Sequence, residues 1–126
     1  MSIFVRTEEK SEPRLFVPLA RDPFRWFEEG RKQWELRRYG RQYTERHVKA
    51  GKRVELRYGY SSQRSLWGFI RDTLTAKSIT DFFAQVDYRL VIPIAESRDQ
   101  AIEIASRILK VRENEIAVFA FRVELD

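Results

Sequence analysis

The sequence predicts a small α+β barrel of about five to six short strands with helices at its margins, and three observations lead there. The chain has 126 residues with 43% hydrophobic content, which suffices for one core and is too little for two. Several short segments alternate apolar and polar residues with the two-residue period of a half-buried strand. One later segment carries the i, i+3, i+4, i+7 apolar stripe of an amphipathic helix. Aromatic residues reach 13% while Gly and Pro number only 5 and 4, a composition that argues against disorder. A single domain is expected over residues 14–126, after an N-terminal extension of residues 1–13.

The elements follow in order. Leu15-Phe16-Val17-Pro18 is an apolar run closed by proline, which suits a first strand at a sheet edge. Asp22-Pro23 reads as a helix start, Asp at the cap and Pro at the first helical position. Phe24, Trp26 and Phe27 form its apolar face, and Gly30 stops it. From Gln33 to Arg37 the pattern alternates, Trp34 and Leu36 on one face and Gln33, Glu35 and Arg37 on the other. Residues 38–52 are basic and polar and read as a loop or irregular arm. Residues 53–58 alternate again, Val54, Leu56 and Tyr58 against Arg53, Glu55 and Arg57, and Gly59-Tyr60-Ser61-Ser62 turns into a strand over residues 65–74. Both faces of that strand carry apolar side chains (Leu66 and Ile70 against Trp67 and Phe69), as in a strand covered on both sides. Residues 78–83 predict a short capped helix, and residues 88–92 fit either an extended or a helical segment. Residues 97–109 are the clearest helix, with Ala101, Ile104, Ala105, Ile108 and Leu109 toward the sheet and Glu103 paired with Arg107 outside. Residues 115–125 close the chain as a long strand.

Charge is unevenly distributed. Residues 14–71 hold 15 Lys and Arg against 6 Asp and Glu, so the first half carries all of the net +5. One surface meeting a polyanion explains such an asymmetry, and a merely solubilising basic face is the plain alternative. There is no cysteine, which excludes disulfides, thiolate zinc sites and a thiol nucleophile and fits a reducing, cytoplasmic setting. His47 is the only histidine and sits in the basic loop, so neither a metal site nor a cofactor is expected. No apolar run approaches a membrane span, and the first nine residues lack the apolar core of a signal peptide.

The chemistry concentrates in Gly30-Arg31-Lys32-Gln33-Trp34-Glu35-Leu36-Arg37. Glu35 and Arg37 are two apart on one strand and share a face, and Lys32 enters that face from the preceding turn. A carboxylate between two cations can accept hydrogen bonds from a base or an amine, while the cations hold phosphate. A solvated strand face with a surface ion pair accounts for the same spacing. A neighbouring carboxylate also favours the charged ammonium, which turns Lys32 toward ligand binding and away from a general-base role.

Gly30-x-Lys32-x-x-Glu35-x-Arg37 resembles the signature of the ASCH domain family, a branch of the PUA-like β-barrels. The context is similar too: Pro23 and Phe24 in a preceding helix, a Gly-led strand (Gly51 to Arg57) after it, and a Phe-rich strand (Val118 to Val123) at the end. The resemblance implies a barrel with a cleft lined by the signature residues and an RNA-binding role. One bacterial branch is an enzyme that removes an acyl group from the exocyclic amine of a modified cytidine. Its catalytic signature lysine is matched by Lys32, but it has threonine where this chain has Glu35. Lys52 departs from the family's usual Asp after the glycine.

Three functions are therefore carried forward. The first is an RNA- or nucleotide-binding domain in which Arg31, Lys32, Arg37, Arg38 and Arg41 contact phosphate, Glu35 reads a base edge, and Tyr39 and Tyr43 stack on bases. Trp34 and Trp67 are secondary candidates for a base pocket. The second is a small amidohydrolase or ribonuclease acting on modified nucleosides or RNA through Lys32 and Glu35. The third is a protein-interaction module with a basic face.

Overall fold

Pro18 restricts where the first strand can lie, since a residue without an N–H is tolerated only where no neighbour needs its donor. The protein is described by a computed structural model over residues 13–112 and 116–126. All but Pro13 of the expected N-terminal extension, and Glu115 of the expected last strand, lie outside the described residues. Strand β1 (Arg14–Leu19) is an edge of a five-stranded sheet. Its neighbour β3 (Arg53–Tyr58) runs parallel to it, with Val17 opposite Leu56. β4 (Ser65–Ala76), β5 (Val118–Leu125) and β2 (Trp34–Arg38) follow in antiparallel pairs, giving the order β1-β3-β4-β5-β2. The fold class is the expected α+β, a curled half-barrel sheet with three flanking helices among the described residues.

Two cores lie on opposite faces of this sheet. On one, Leu15, Val17, Val54, Leu56, Ile70, Phe119, Phe121 and Val123 pack with Phe24 and Phe27 of helix α1 (Arg21–Glu28). On the other, Leu36, Ala76, Val118 and Ala120 meet α2 (Ile79–Gln85) and α3 (Arg98–Leu109) through Phe82, Phe83, Ala101 and Ala105. Successive residues of β5 thus feed alternate cores, as the two-residue period requires. β4 reaches both by an irregularity: Ile70 pairs with Val123 but Asp72 with Arg122, leaving Arg71 as an extra residue. That bulge reverses the strand's inside–outside parity.

A side-chain cap fixes α2 as the sequence predicts, and a second cap fixes α3. Ser78 Oγ accepts from the Asp81 N–H at 3.0 Å, and Ser97 Oγ accepts from the Gln100 N–H at 3.1 Å. Glu103 and Arg107 pair on the outside of α3 at 3.0 Å.

Several expectations are corrected. α1 begins before Asp22: Ala20 is its N-cap without a side-chain bond, and Asp22 lies in the first turn. Pro23 is tolerated there because the first intrahelical bond, Phe24 N–H to Ala20 C=O, comes one residue later. β4 extends to Ala76, and its outer face is open, with Trp67 38% and Phe69 42% exposed. Ile108 leaves the apolar stripe of α3 and is 66% exposed. Residues 88–92 resolve into a 3₁₀ turn at Tyr88–Leu90 capped by Asp87. β5 starts at Val118, so Ile116 precedes the strand.

Gly68 is the glycine at which the backbone of a neighbouring strand approaches too closely for a side chain. A Cβ there would press into the backbone carbonyl of Glu124 on β5. Gly68→Ala should destabilise the fold by about 1–3 kcal/mol, read as a lower urea midpoint with an unchanged slope.

Candidate functional site

The site begins at the end of α1. Gly30 adopts φ +77°, and the Trp26 carbonyl accepts from both the Arg31 and Lys32 N–H groups at 2.9 and 3.1 Å. This turn folds Lys32 back under the sheet, where only 6% of it is exposed. Its Nζ donates to the Val91 carbonyl at 2.6 Å and lies 3.3 Å from Glu35 Oε1. Glu35 is 8% exposed, and its second oxygen accepts from Arg37 Nε at 2.7 Å. The triad is therefore a buried network and not a solvated surface pair.

Arg37 has a further task set by the topology. β1 and β2 are the two edges of the sheet, and unpaired edges must be covered or bridged. Arg37 Nη2 on β2 donates to the Pro18 carbonyl on β1 at 2.9 Å, and Gln42 Nε2 donates to the Phe16 carbonyl at 3.0 Å. Side chains thus link the two edges of the half-barrel. Arg37 Nη1 also donates to the Tyr43 hydroxyl at 3.0 Å, while the Tyr43 ring stacks on Phe121 with 6.1 Å between centroids.

The titration behaviour follows from burial and these contacts. Burial pulls Lys32 below its ordinary value and outweighs the opposing pull of Glu35. This reverses the expectation that the carboxylate would dominate. Burial acts to raise Glu35, but Arg37 and Lys32 together hold its carboxyl below the usual range. Among the described residues, no buried side-chain polar atom lacks a hydrogen-bond partner.

Two cavities adjoin the network and share Ile108 and Leu109 as a common wall. The smaller, of about 70 Å³, is lined by Lys32 and Glu35 with apolar neighbours including Pro23, Trp26, Val91 and Ala105. The larger is a cleft of about 620 Å³ between Arg37, Arg38, Tyr39, Gly40, Arg41 and Tyr43 on one side and Ile108, Leu109 and Lys110 on the other. Five of the predicted binding residues, Arg37, Arg38, Tyr39, Arg41 and Tyr43, therefore converge on one cleft, while Lys32 and Glu35 border the adjoining cavity. Arg31 is exposed beside Glu29 at 3.5 Å and lines neither. Trp34 packs edge-on against Phe82 at 6.3 Å, and Trp67 lies on the open outer face of β4. Sequence reasoning missed Lys110, which joins the cleft from a distant element; its only local signal is a cation just past the end of α3.

Arg38, Arg41 and Lys110 stand apart from the rest. Among the described residues their side chains have no hydrogen-bond or ion-pair partner. Arg41 and Lys110 are also the two described non-glycine residues with positive φ, at +54° and +57°. Side chains rarely adopt that conformation, so strained cations face each other across the cleft.

No protein-family profile matches the sequence, and no curated protein does. Solved structures match it in fold. The hypothetical protein PH0355 superposes with a TM-score of 0.74 at 17% identity, covering 90% of this chain and 100% of its own. Protein PF0455 from Pyrococcus furiosus gives 0.62 at 16%, covering 90% and 97%. These likenesses show the fold alone, a small α+β domain with a curled half-barrel sheet. The ASCH protein from Zymomonas mobilis gives 0.56 at 12% identity over 86% of this chain and 65% of its own, so the fold is similar to that of an ASCH protein.

Because Glu35 neutralises two buried or half-buried cations, Glu35→Gln should destabilise the protein by about 3–5 kcal/mol in chemical denaturation. The depressed Glu35 carboxyl also sets the acid limb of stability. Its contribution is complete above the ordinary value of 4.5 and is lost as the pH falls below it toward the folded value. Melting temperature should therefore drop below about pH 4.5, and less steeply in Glu35→Gln than in the parent.

Proposed function

We propose that this chain binds RNA or a nucleotide in the 620 Å³ cleft. The observation that carries the reading is the convergence of three unpaired cations, Arg38, Arg41 and Lys110, on a concave site with an exposed tyrosine. The volume suits a small ligand or one splayed-out nucleotide. Phosphate falls to Arg38, Arg41 and Lys110, because Arg37 already donates to Glu35, Tyr43 and Pro18. Tyr39 is the stacking ring: it is 42% exposed, and its hydroxyl is anchored on Glu45 at 2.6 Å. Tyr43 is a wall residue, since its ring meets Phe121 and, at 5.1 Å, the Arg37 guanidinium. Ile108 and Leu109 supply the apolar side against which a base can lie. Lys32 and Glu35 support the cleft from behind.

One observation favours a second reading, a hydrolase acting on modified nucleosides or RNA. A lysine with a lowered pKa borders a cavity beside a carboxylate, the pairing that general acid–base catalysis needs. Turnover of acylated cytidine or RNA that disappears in Lys32→Ala, with folding checked in parallel, would establish it.

The binding reading is tested by substitutions that do not weaken the fold. Glycine relieves the positive φ at Arg41 and Lys110, so Arg41→Gly and Lys110→Gly should leave stability unchanged or raise it by up to about 1 kcal/mol. Each should nevertheless weaken binding of single-stranded RNA and lower the slope of log affinity against log salt by about 0.7. Affinity independent of salt, or no RNA binding by the parent protein, would instead favour a protein partner for the basic face.

A further inference from the structure

The outer face of the sheet is only half covered. α2 and α3 pack over Leu36, Leu74, Ala76, Val118 and Ala120. The part built by β1, β3 and the first half of β4 carries no helix on that side among the described residues. It exposes Trp67 and Phe69 at 38% and 42%. Single exposed aromatics need no explanation, but two large rings side by side on one sheet face do.

The charges on this face are already satisfied. Glu55, 3% exposed, accepts from Arg14 at 2.8 Å, from Arg57 at 2.6 Å and from Ser65 at 2.6 Å. Arg53 reaches across β4 to fork on Asp126 at 2.8 and 3.1 Å, which lays its guanidinium over Phe69 at 4.6 Å and Trp67 at 5.4 Å. Arg14 and Arg57 lie over Phe16 at 5.6 and 4.8 Å, and Arg71 pairs with Glu124 at 3.2 Å. A phosphate chain would have to displace carboxylates here, unlike in the cleft. Arginine and aromatic side chains with neutralised charge are instead the composition of a protein–protein contact.

We propose that this face joins two copies of the chain. In strand order, arginines occupy β1 and β3 (Arg14, Arg53, Arg57), the rings Trp67 and Phe69 form a ridge on β4, and the carboxylates Glu124 and Asp126 lie on β5 and just beyond it, with Arg71 and Arg122 beside them paired to Glu124 and Asp72. A two-fold axis along the ridge sets the arginine side of one copy against the carboxylate side of the other, which is the self-complementarity that an isologous dimer requires. The first half of the chain as a whole is strongly basic, with 15 cations against 6 anions over residues 14–71, the arginines of this face included. This face is where that charge is cancelled.

Sedimentation velocity of the full chain over a concentration series tests the proposal. The mass should rise from one chain to two, and Trp67→Glu should raise the dissociation constant about thirtyfold or more, as for the loss of an interface anchor. Glu124→Arg changes a residue whose side chain is 63% exposed and leaves the rings in place. It should weaken the dimer about tenfold by setting like charges across the axis. Circular dichroism melts should show both variants folded, and Glu124→Arg decides the matter if Trp67→Glu does not fold. A single-chain mass at every concentration, or a dimer indifferent to both changes, overturns the proposal. So does a monomer whose RNA affinity falls in Trp67→Glu, which would give the face to nucleic acid.

Discussion

A carboxylate buried between two cations holds this domain together. Glu35 sits on an edge strand and is reached by Lys32 from the end of α1 and by Arg37 from its own strand. Removing three charges from water is costly, and the arrangement is favourable only because each is met by hydrogen bonds. Those bonds carry structural information beyond their energy. Lys32 ties α1 to the segment after the 3₁₀ turn through Val91, and Arg37 ties β2 to β1 through Pro18. With the ladder ending at β1 and β2, the curl of the sheet depends on side chains from one short motif. A helix end, a loop and two sheet edges are fixed together there, and the cleft lies against the result.

This explains how one motif can shape a cleft whose unpaired cations lie elsewhere. The donors of Arg37 face Glu35, Tyr43 and Pro18, so it positions the wall from which Arg38 and Arg41 project. The basic half of the chain divides in the same way. Arg14, Arg53 and Arg57 are held by Glu55 and Asp126 on the outer face, whereas Arg38 and Arg41 keep their charge available at the cleft. Net charge alone does not make that distinction, because pairing is a property of the folded surface.

Much of the fold was legible because its signals are local. Alternation located β2 and β3, Ser78 and Ser97 marked helix starts, Gly30 marked a stop, and Pro18 marked an edge. The features that were not legible depend on contacts distant in sequence. A strand with apolar residues on both faces reads as fully covered, yet Trp67 and Phe69 are covered only in part, by Arg53 from the next strand. Ile108 fits the helical stripe by spacing, but the last turn of α3 overhangs the cleft instead of a core. At the site, the motif and the basic arm were legible as residues. Their division into buried support and unpaired cations lining the cleft was not, because it follows from the closure of the sheet. Lys110 was invisible because 69 residues separate it from Arg41 in the chain.

The bulge in β4 bears on how this domain can change over generations. Ile70 serves one core and Leu74 and Ala76 the other, and the extra residue at Arg71 is what allows a single strand to do both. Deleting or adding one residue on either side of it would turn half of the strand inside out. Insertions are therefore admissible in the turn after β3 but not within β4, and the basic arm is held to the core by Val48 and Tyr43. The length of β4 is thus the part of the sheet least free to change.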